Sequence, residues 1–248
     1  MTYSKPVALW AVPRSVSTAL ERVFVERGDF KVFHEPFSAS YYYSPERRSA
    51  RFAETEPKEE YGHEKVLARM LEHRGKPIFF KDMAYHVAGF MSREFVSGFT
   101  NTFIIRDPAP VIASLHRFWP DFTLEEAGYE QQQRLFGLAV ENGEDPAVVD
   151  AAYLIRDPEG TIRAYCERLG VPFIPEALFW EPGEVPGWEM WAGWHEEAAE
   201  STGIKSQPLE DDTEVPPGLE GVYEHCLPYY EKLHEKRLRP PDNPQQPD

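Results

Sequence analysis

Four short stretches of this 248-residue sequence carry residue types and spacings able to do chemistry. The first is PRSVSTAL, residues 13–20, which follows an apolar run and opens a helical pattern. Such a turn offers successive backbone N–H groups from about Ser15, through Val16, to Ala19. It adds the hydroxyls of Ser15, Ser17 and Thr18 and the guanidinium of Arg14. This is equipment for wrapping a phosphate, and a helix N-terminus brings about half a positive charge to it. Thr18 and Glu21 also spell a T-x-x-E capping box, which starts helices of any function, so spacing alone leaves both readings open. The second stretch, FIIRDPAPVIASLHR, holds Arg106 at the end of an apolar run and Ser114 eight residues later. Arg106 can present a bidentate fork, and Ser114, about one turn inside the next helix, can face the same dianion. LIRDP recurs at residues 154–158, but the residue eight after Arg156 is Ala164, so that copy reads as scaffold. The third and fourth stretches, HEPF and KDMAYH, offer three groups able to accept a proton: His34, Glu35 and His86. Lys81 and Asp82 are either a strand-end ion pair or part of a pocket wall. Tyr41, Tyr42 and Tyr43 and the cluster Trp180, Trp188, Trp191 and Trp194 suit an aromatic acceptor pocket or simply core.

These residues need elements to hold them. Residues 7–12 form an apolar run without alternation, which predicts a strand buried on both faces. A helix follows over about 18–27, then a strand at KVFH that Pro36 stops. Residues 38–62 lack a period and read as a surface excursion or lid. A helix over about 63–73 precedes strands at PIFFKD and TNTFIIRD, and Pro108 and Pro110 open the next helix. Another helix is expected over about 124–140, then a strand and a helix in AVVDAAYLIRDPEGTIRAYCERLG, ended by Gly170. The last helix spans about 219–236. Strands alternating with helices imply parallel units with right-handed crossovers, hence an α/β three-layer sandwich around a central parallel sheet. The expected organisation is one domain over residues 1–238 and a disordered Pro-rich tail over 239–248.

Composition narrows the function classes. A formal net charge of -16 argues against a nucleic-acid partner, which needs a basic face. A small anion meets only the local field of its pocket, so a nucleotide is neither supported nor excluded. No apolar run approaches the roughly 18 residues of a membrane span, and the N-terminus does not read as a signal peptide. Cys166 and Cys226 are too few for a disulfide framework and lack zinc-site spacing. A cytoplasmic, metal-free protein is the expectation.

VALWAVPRSVSTAL resembles the 5′-phosphosulfate loop of sulfotransferases dependent on 3′-phosphoadenosine-5′-phosphosulfate (PAPS), a strand followed by P-K/R-S-G-S/T-S/T and a helix. Val16 stands where that family usually has Gly, and a β-branched residue takes positive φ only at a cost. FIIRDPAPVIASLHR resembles the family's second signature. The resemblance implies a nucleotide-kinase-like fold, Arg14 and residues 15–19 on the 5′-phosphosulfate, and Arg106 and Ser114 on the 3′-phosphate. It also implies that Lys205, in AESTGIKSQ, folds over the 3′-phosphate. Some members place a catalytic Glu 21 residues beyond the loop cation, as Glu35 stands from Arg14. Others use a His two residues after a strand Lys, where this sequence has Met83. The resemblance therefore favours Glu35 as base, with His86 next. It implies transfer from PAPS to a small-molecule hydroxyl, without a metal. The rivals are an ATP-dependent small-molecule kinase, for which the chain lacks G-x-x-x-x-G-K-S/T, and an inactive nucleotide-binding protein of the same fold.

Overall fold

In the computed structural model, which describes residues 5–204, 206 and 213–239, the expected strands form as β1 (Val7–Ala11), β2 (Lys31–His34), β3 (Ile78–Met83), β4 (Thr100–Ile105) and β5 (Ala147–Asp150). All pair in parallel in the order β2-β3-β1-β4-β5. The helices are α1 (Ser17–Arg27), α2 (Ser38–Tyr43), α3 (His63–Leu71), α4 (Arg93–Ser97), α5 (Pro108–Phe118) and α6 (Leu124–Ala127). They continue as α7 (Tyr129–Glu141), α8 (Ala151–Arg156), α9 (Pro158–Leu169), α10 (Ala192–Glu200) and α11 (Glu220–His234).

Both faces of the sheet are covered, which is why β1 shows no alternation in sequence. Val7, Leu9 and Ala11 pack with Leu20 and Phe24 of α1 and Ile162 and Tyr165 of α9. Ala8 and Trp10 point the other way, onto Phe80, Phe103 and Leu135. Each such buried Leu or Phe contributes about 1.5–3 kcal/mol. The result is the expected three-layer α/β sandwich. β1 and β4 are neighbours, with Ala11 opposite Ile104. The chain leaves β1 towards the β3 side and leaves β4 towards β5. The two loops diverge, and a crevice opens between them at the carboxyl edge of the sheet.

Two expectations need correction. The stretch from residue 38 begins with α2, whose residues 38–42 are buried. Three consecutive tyrosines concealed the helix: Tyr41 meets Tyr42 and Tyr85 edge to face at 4.8 and 5.0 Å, and this contact stands in for an apolar stripe. The helix expected over 124–140 is cut by Gly128, whose φ of 82° ends α6 and starts α7. The segment AAYLIR is helical, because the Asp150 carboxylate caps it by accepting the Ala152 N–H at 2.8 Å. Arg156 therefore ends a helix whereas Arg106 follows a strand, and the echo of IIRDP in LIRDP is one of sequence alone.

Cys166 and Cys226 are buried free thiols. No helix among the described residues is long and apolar enough to cross a membrane. Lys205 and residues 240–248 of the expected tail lie outside the described residues.

Candidate active site

The crevice is a cavity of about 380 Å³, within the roughly 300–1,000 Å³ of small-molecule sites. Its floor is the loop from Pro13 to Ala19, with Arg106 alongside. α1 starts at Ser17, with Val16 as its N-cap in the left-handed conformation (φ 62°, ψ 14°). The loop thus takes the shape usually given to Gly, and Arg14 is also left-handed at φ 56°. The capping box does not form. Val16 occupies the cap, and the buried Glu21 carboxylate turns to His34 Nδ1 at 2.8 Å. Ser15 contributes backbone only, since its hydroxyl donates to the Val12 carbonyl at 2.7 Å. Ser17 and Thr18 line the cavity.

The two anion motifs meet. Arg14 Nε donates to Ser114 Oγ at 2.8 Å, and Arg106 Nη1 donates to the Arg14 carbonyl at 2.6 Å. The Arg106 carbonyl in turn accepts from Tyr129 Oη at 2.9 Å. Ser114 lies seven residues into α5, a turn deeper than expected, and accepts from Arg14 with its own proton still to give. Burial lowers both guanidinium pKa values; Glu197 opposes the fall at Arg14, and the Arg14 cation deepens it at Arg106. Two partly desolvated cations side by side are stabilised by an anion.

Glu35 follows β2 directly, and its φ of 39° breaks the strand. Its carboxylate meets Lys81 Nζ at 2.5 Å, with Lys81 wholly buried and Glu21 3.8 Å from it on another side. Burial alone would raise the Glu35 pKa. Lys81 first, then His34, His86 and His195, outweigh burial and hold the carboxyl well below its usual range. Lys81 is pushed the other way: burial lowers its pKa, but Glu35 and Glu21 raise it above the ordinary value. His86 lines the cavity differently. Its Nδ1 sits 2.6 Å from Asp82 Oδ1, and its buried Nε2 has no protein partner. Asp82 is anchored in turn by the N–H groups of Phe37 (2.7 Å) and Met83 (2.8 Å).

The far wall joins three of the aromatic residues offered from the sequence, Tyr42, Trp191 and Trp194, to residues given no role there. Tyr42, Met83, Tyr85, Leu115 and Trp119 line it from one side, and Trp191, Trp194 and His195 from the other. Trp194 stacks on Phe118 at 4.8 Å, and its carbonyl accepts from Arg14 at 3.4 Å. Trp180 and Trp188, by contrast, are core. Gly203 also borders the cavity, bridged to Phe179, where a Cβ would lie 2.6 Å from the Leu178 carbonyl oxygen. His195 had no local signal, because its neighbours in the site lie far away in sequence.

A parallel α/β sheet whose two polar loops emerge side by side at its switch point is the arrangement in which open α/β folds hold ligands. The sequence model of the family described as sulfotransferase domain matches residues 5–236, and the chain belongs to that family. It is 31% identical over 227 residues to branched-chain-amino-acid aminotransferase-like proteins 2 and 1 of Arabidopsis thaliana, with 90% of this chain and 40% of each relative covered. The chain thus spans about two fifths of the length of these curated relatives. Among solved structures, the sulfotransferase domain from the curacin biosynthetic pathway matches with a TM-score of 0.53 at 14% identity, over 94% of this chain and 99% of that chain. This likeness shows the fold.

Proposed function

We propose that the chain transfers a sulfuryl group from PAPS to a hydroxyl of a small-molecule acceptor. The observation that carries this reading is the contact between Arg14 and Ser114, which makes one continuous anion site of two motifs 100 residues apart. In this reading Arg14 and the backbone of residues 15–19, with the Ser17 and Thr18 hydroxyls, hold the 5′-phosphosulfate. Arg106 and Ser114 hold the 3′-phosphate. Lys205, which the resemblance also assigns there, lies outside the described residues.

The acceptor hydroxyl attacks sulfur in line with the bridging oxygen to the 5′-phosphate. The new S–O bond forms as the old one breaks, and the departing phosphate keeps the electron pair. Arg14 stabilises the charge growing on that oxygen. The leaving group is a stable phosphate, so no metal is required for the step. The acceptor proton goes to His86 Nε2, with Asp82 orienting the ring. This arrangement is the base-and-orienter pair of general acid–base catalysis. Glu35, favoured by the resemblance, is the weaker proton acceptor, because its carboxylate is already engaged by Lys81.

Incubation with PAPS and a panel of phenols and alcohols, read by mass, should give products heavier by one sulfuryl group. Phosphoryl products with ATP would establish the kinase instead. No product with either donor, together with nucleotide binding, would establish a binding protein. His86→Asn should abolish turnover and keep binding of the desulfated nucleotide. If Glu35→Gln does so and His86→Asn does not, the base is Glu35.

A further inference from the structure

The mechanism above leaves unused a cluster of buried groups beside the cavity. His34, Glu35 and His195 each bring a ligand-capable atom to one point, all within 4.8 Å of one another. His34 Nε2 and Glu35 Oε1 are 3.6 Å apart. The Nε2 atoms of His34 and His195 are both buried and lack any hydrogen-bond partner. The His34 side chain is 1% exposed, and His195 is 6% exposed. Two orphaned imidazole nitrogens in one small volume are costly unless something takes them.

The backbone is bent to build this cluster. Successive strand residues point to opposite faces, so His34 and Glu35 would ordinarily diverge. The left-handed φ of 39° at Glu35 turns both into the same space. Strain of this kind persists where surrounding structure enforces it, and it gathers at functional sites. α10 supplies the third member, with the His195 and His34 rings edge to face at 4.6 Å.

His34 is set up as a metal ligand. His34 Nδ1 is held by the Glu21 carboxylate at 2.8 Å, the carboxylate–histidine arrangement that fixes Nε2 as a metal-binding lone pair. Lys81 lies close and holds Glu35 Oε1 at 2.5 Å, the same oxygen that faces His34 Nε2 at 3.6 Å. A carboxylate has two oxygens, so a metal takes Glu35 through Oε2 once the carboxylate turns about its bond to the chain, with Oε1 left on Lys81. Two histidines and one carboxylate form a zinc-type ligand set, in which a fourth position stays open. Tetrahedral coordination needs ligand atoms roughly 3.3 Å apart, a modest closure from the distances here.

We propose that His34, Glu35 and His195 bind one divalent metal ion of the zinc class, with the open position facing the cavity. The site goes beyond the transfer reading and does not depend on it. The test is titration of EDTA-treated full-length chain with Co(II), without donor or acceptor, following the visible absorption of tetrahedral cobalt, with Zn(II) as competitor. One equivalent should bind, and Zn(II) should displace it. His195→Ala and His34→Ala should each weaken binding by more than about 100-fold, and Glu21→Gln by roughly 10- to 100-fold. His225→Ala, at a histidine remote from the cluster, should change nothing. His195 sits on a peripheral helix, so its variant keeps the test sound if His34→Ala fails to fold. No stoichiometric binding, or equal binding by His195→Ala, overturns the site and leaves the sulfuryl-transfer proposal untouched.

Discussion

Arg14 Nε donates to Ser114 Oγ at 2.8 Å, joining the loop after β1 to the second turn of α5. Each residue is thus positioned by the other, and their removal should differ in effect. Under the proposed sulfuryl transfer, Arg14→Ala removes the cation at the leaving oxygen and should cut turnover by about two to three orders of magnitude. Ser114→Ala removes one hydrogen bond to the proposed 3′-phosphate. It should weaken binding of the desulfated nucleotide by about 10- to 100-fold, as expected for a bond to a charged group. Calorimetry on both variants would separate the roles, and equal loss of binding would refute the division.

Lys81 is the counter-charge for two buried carboxylates, Glu35 at 2.5 Å and Glu21 at 3.8 Å. Lys81→Met should destabilise the fold by about 3–5 kcal/mol, because it strands both acids. The exposed pair of Arg93 and Glu141 is the control, and Arg93→Met should leave the urea midpoint in place. A similar small effect from both substitutions would mean that Glu35 is not held as an anion by Lys81.

Val16 carries the left-handed backbone of the phosphate loop at φ 62°. At such a position Gly should outrank Ala, the reverse of their order inside a helix. Val16→Gly should therefore be more stable than Val16→Ala by about 1 kcal/mol in urea unfolding. If Ala is the better residue, the loop does not hold this conformation in solution.

Burial pushes the Cys226 thiol from 9.0 up to about 12, and burial raises Cys166 too, against the opposing pull of Arg27. The folded chain therefore keeps these protons where the unfolded chain releases them. The Cys226 contribution to stability is complete below pH 9.0 and is lost as pH climbs towards about 12, and Cys166 acts in the same direction. At pH 8 neither thiol should react with a disulfide reagent until urea unfolds the chain. Rapid reaction of the native protein would show that these helices open readily.

The sequence made the sheet legible because its strands are short apolar runs that close on polar or charged residues. That the loops at Arg14 and Arg106 meet was readable for the same reason, since loops after neighbouring parallel strands emerge side by side. What was hidden depended on contacts distant in sequence. Thr18 and Glu21 fit a capping box, yet Glu21 is drawn to His34 and Val16 takes the cap. The turn at Glu35 is invisible in HEPF, because Glu has no preference for positive φ. His195 sits in α10 beside Trp194, and the tryptophan cluster alone could not say which of its members face the cavity and which are core.

The wall built from residues 191–204 has a separate origin from the two loops proposed to hold the donor, which among the described residues lie before residue 115. Apart from Glu197, which pairs with Arg14 at 3.5 Å, side chains of that late segment can reshape what is admitted without touching the floor beneath. Divergence among copies of such a chain is therefore free to run at different speeds in its two halves, with new molecules recognised over an unchanged means of activating them.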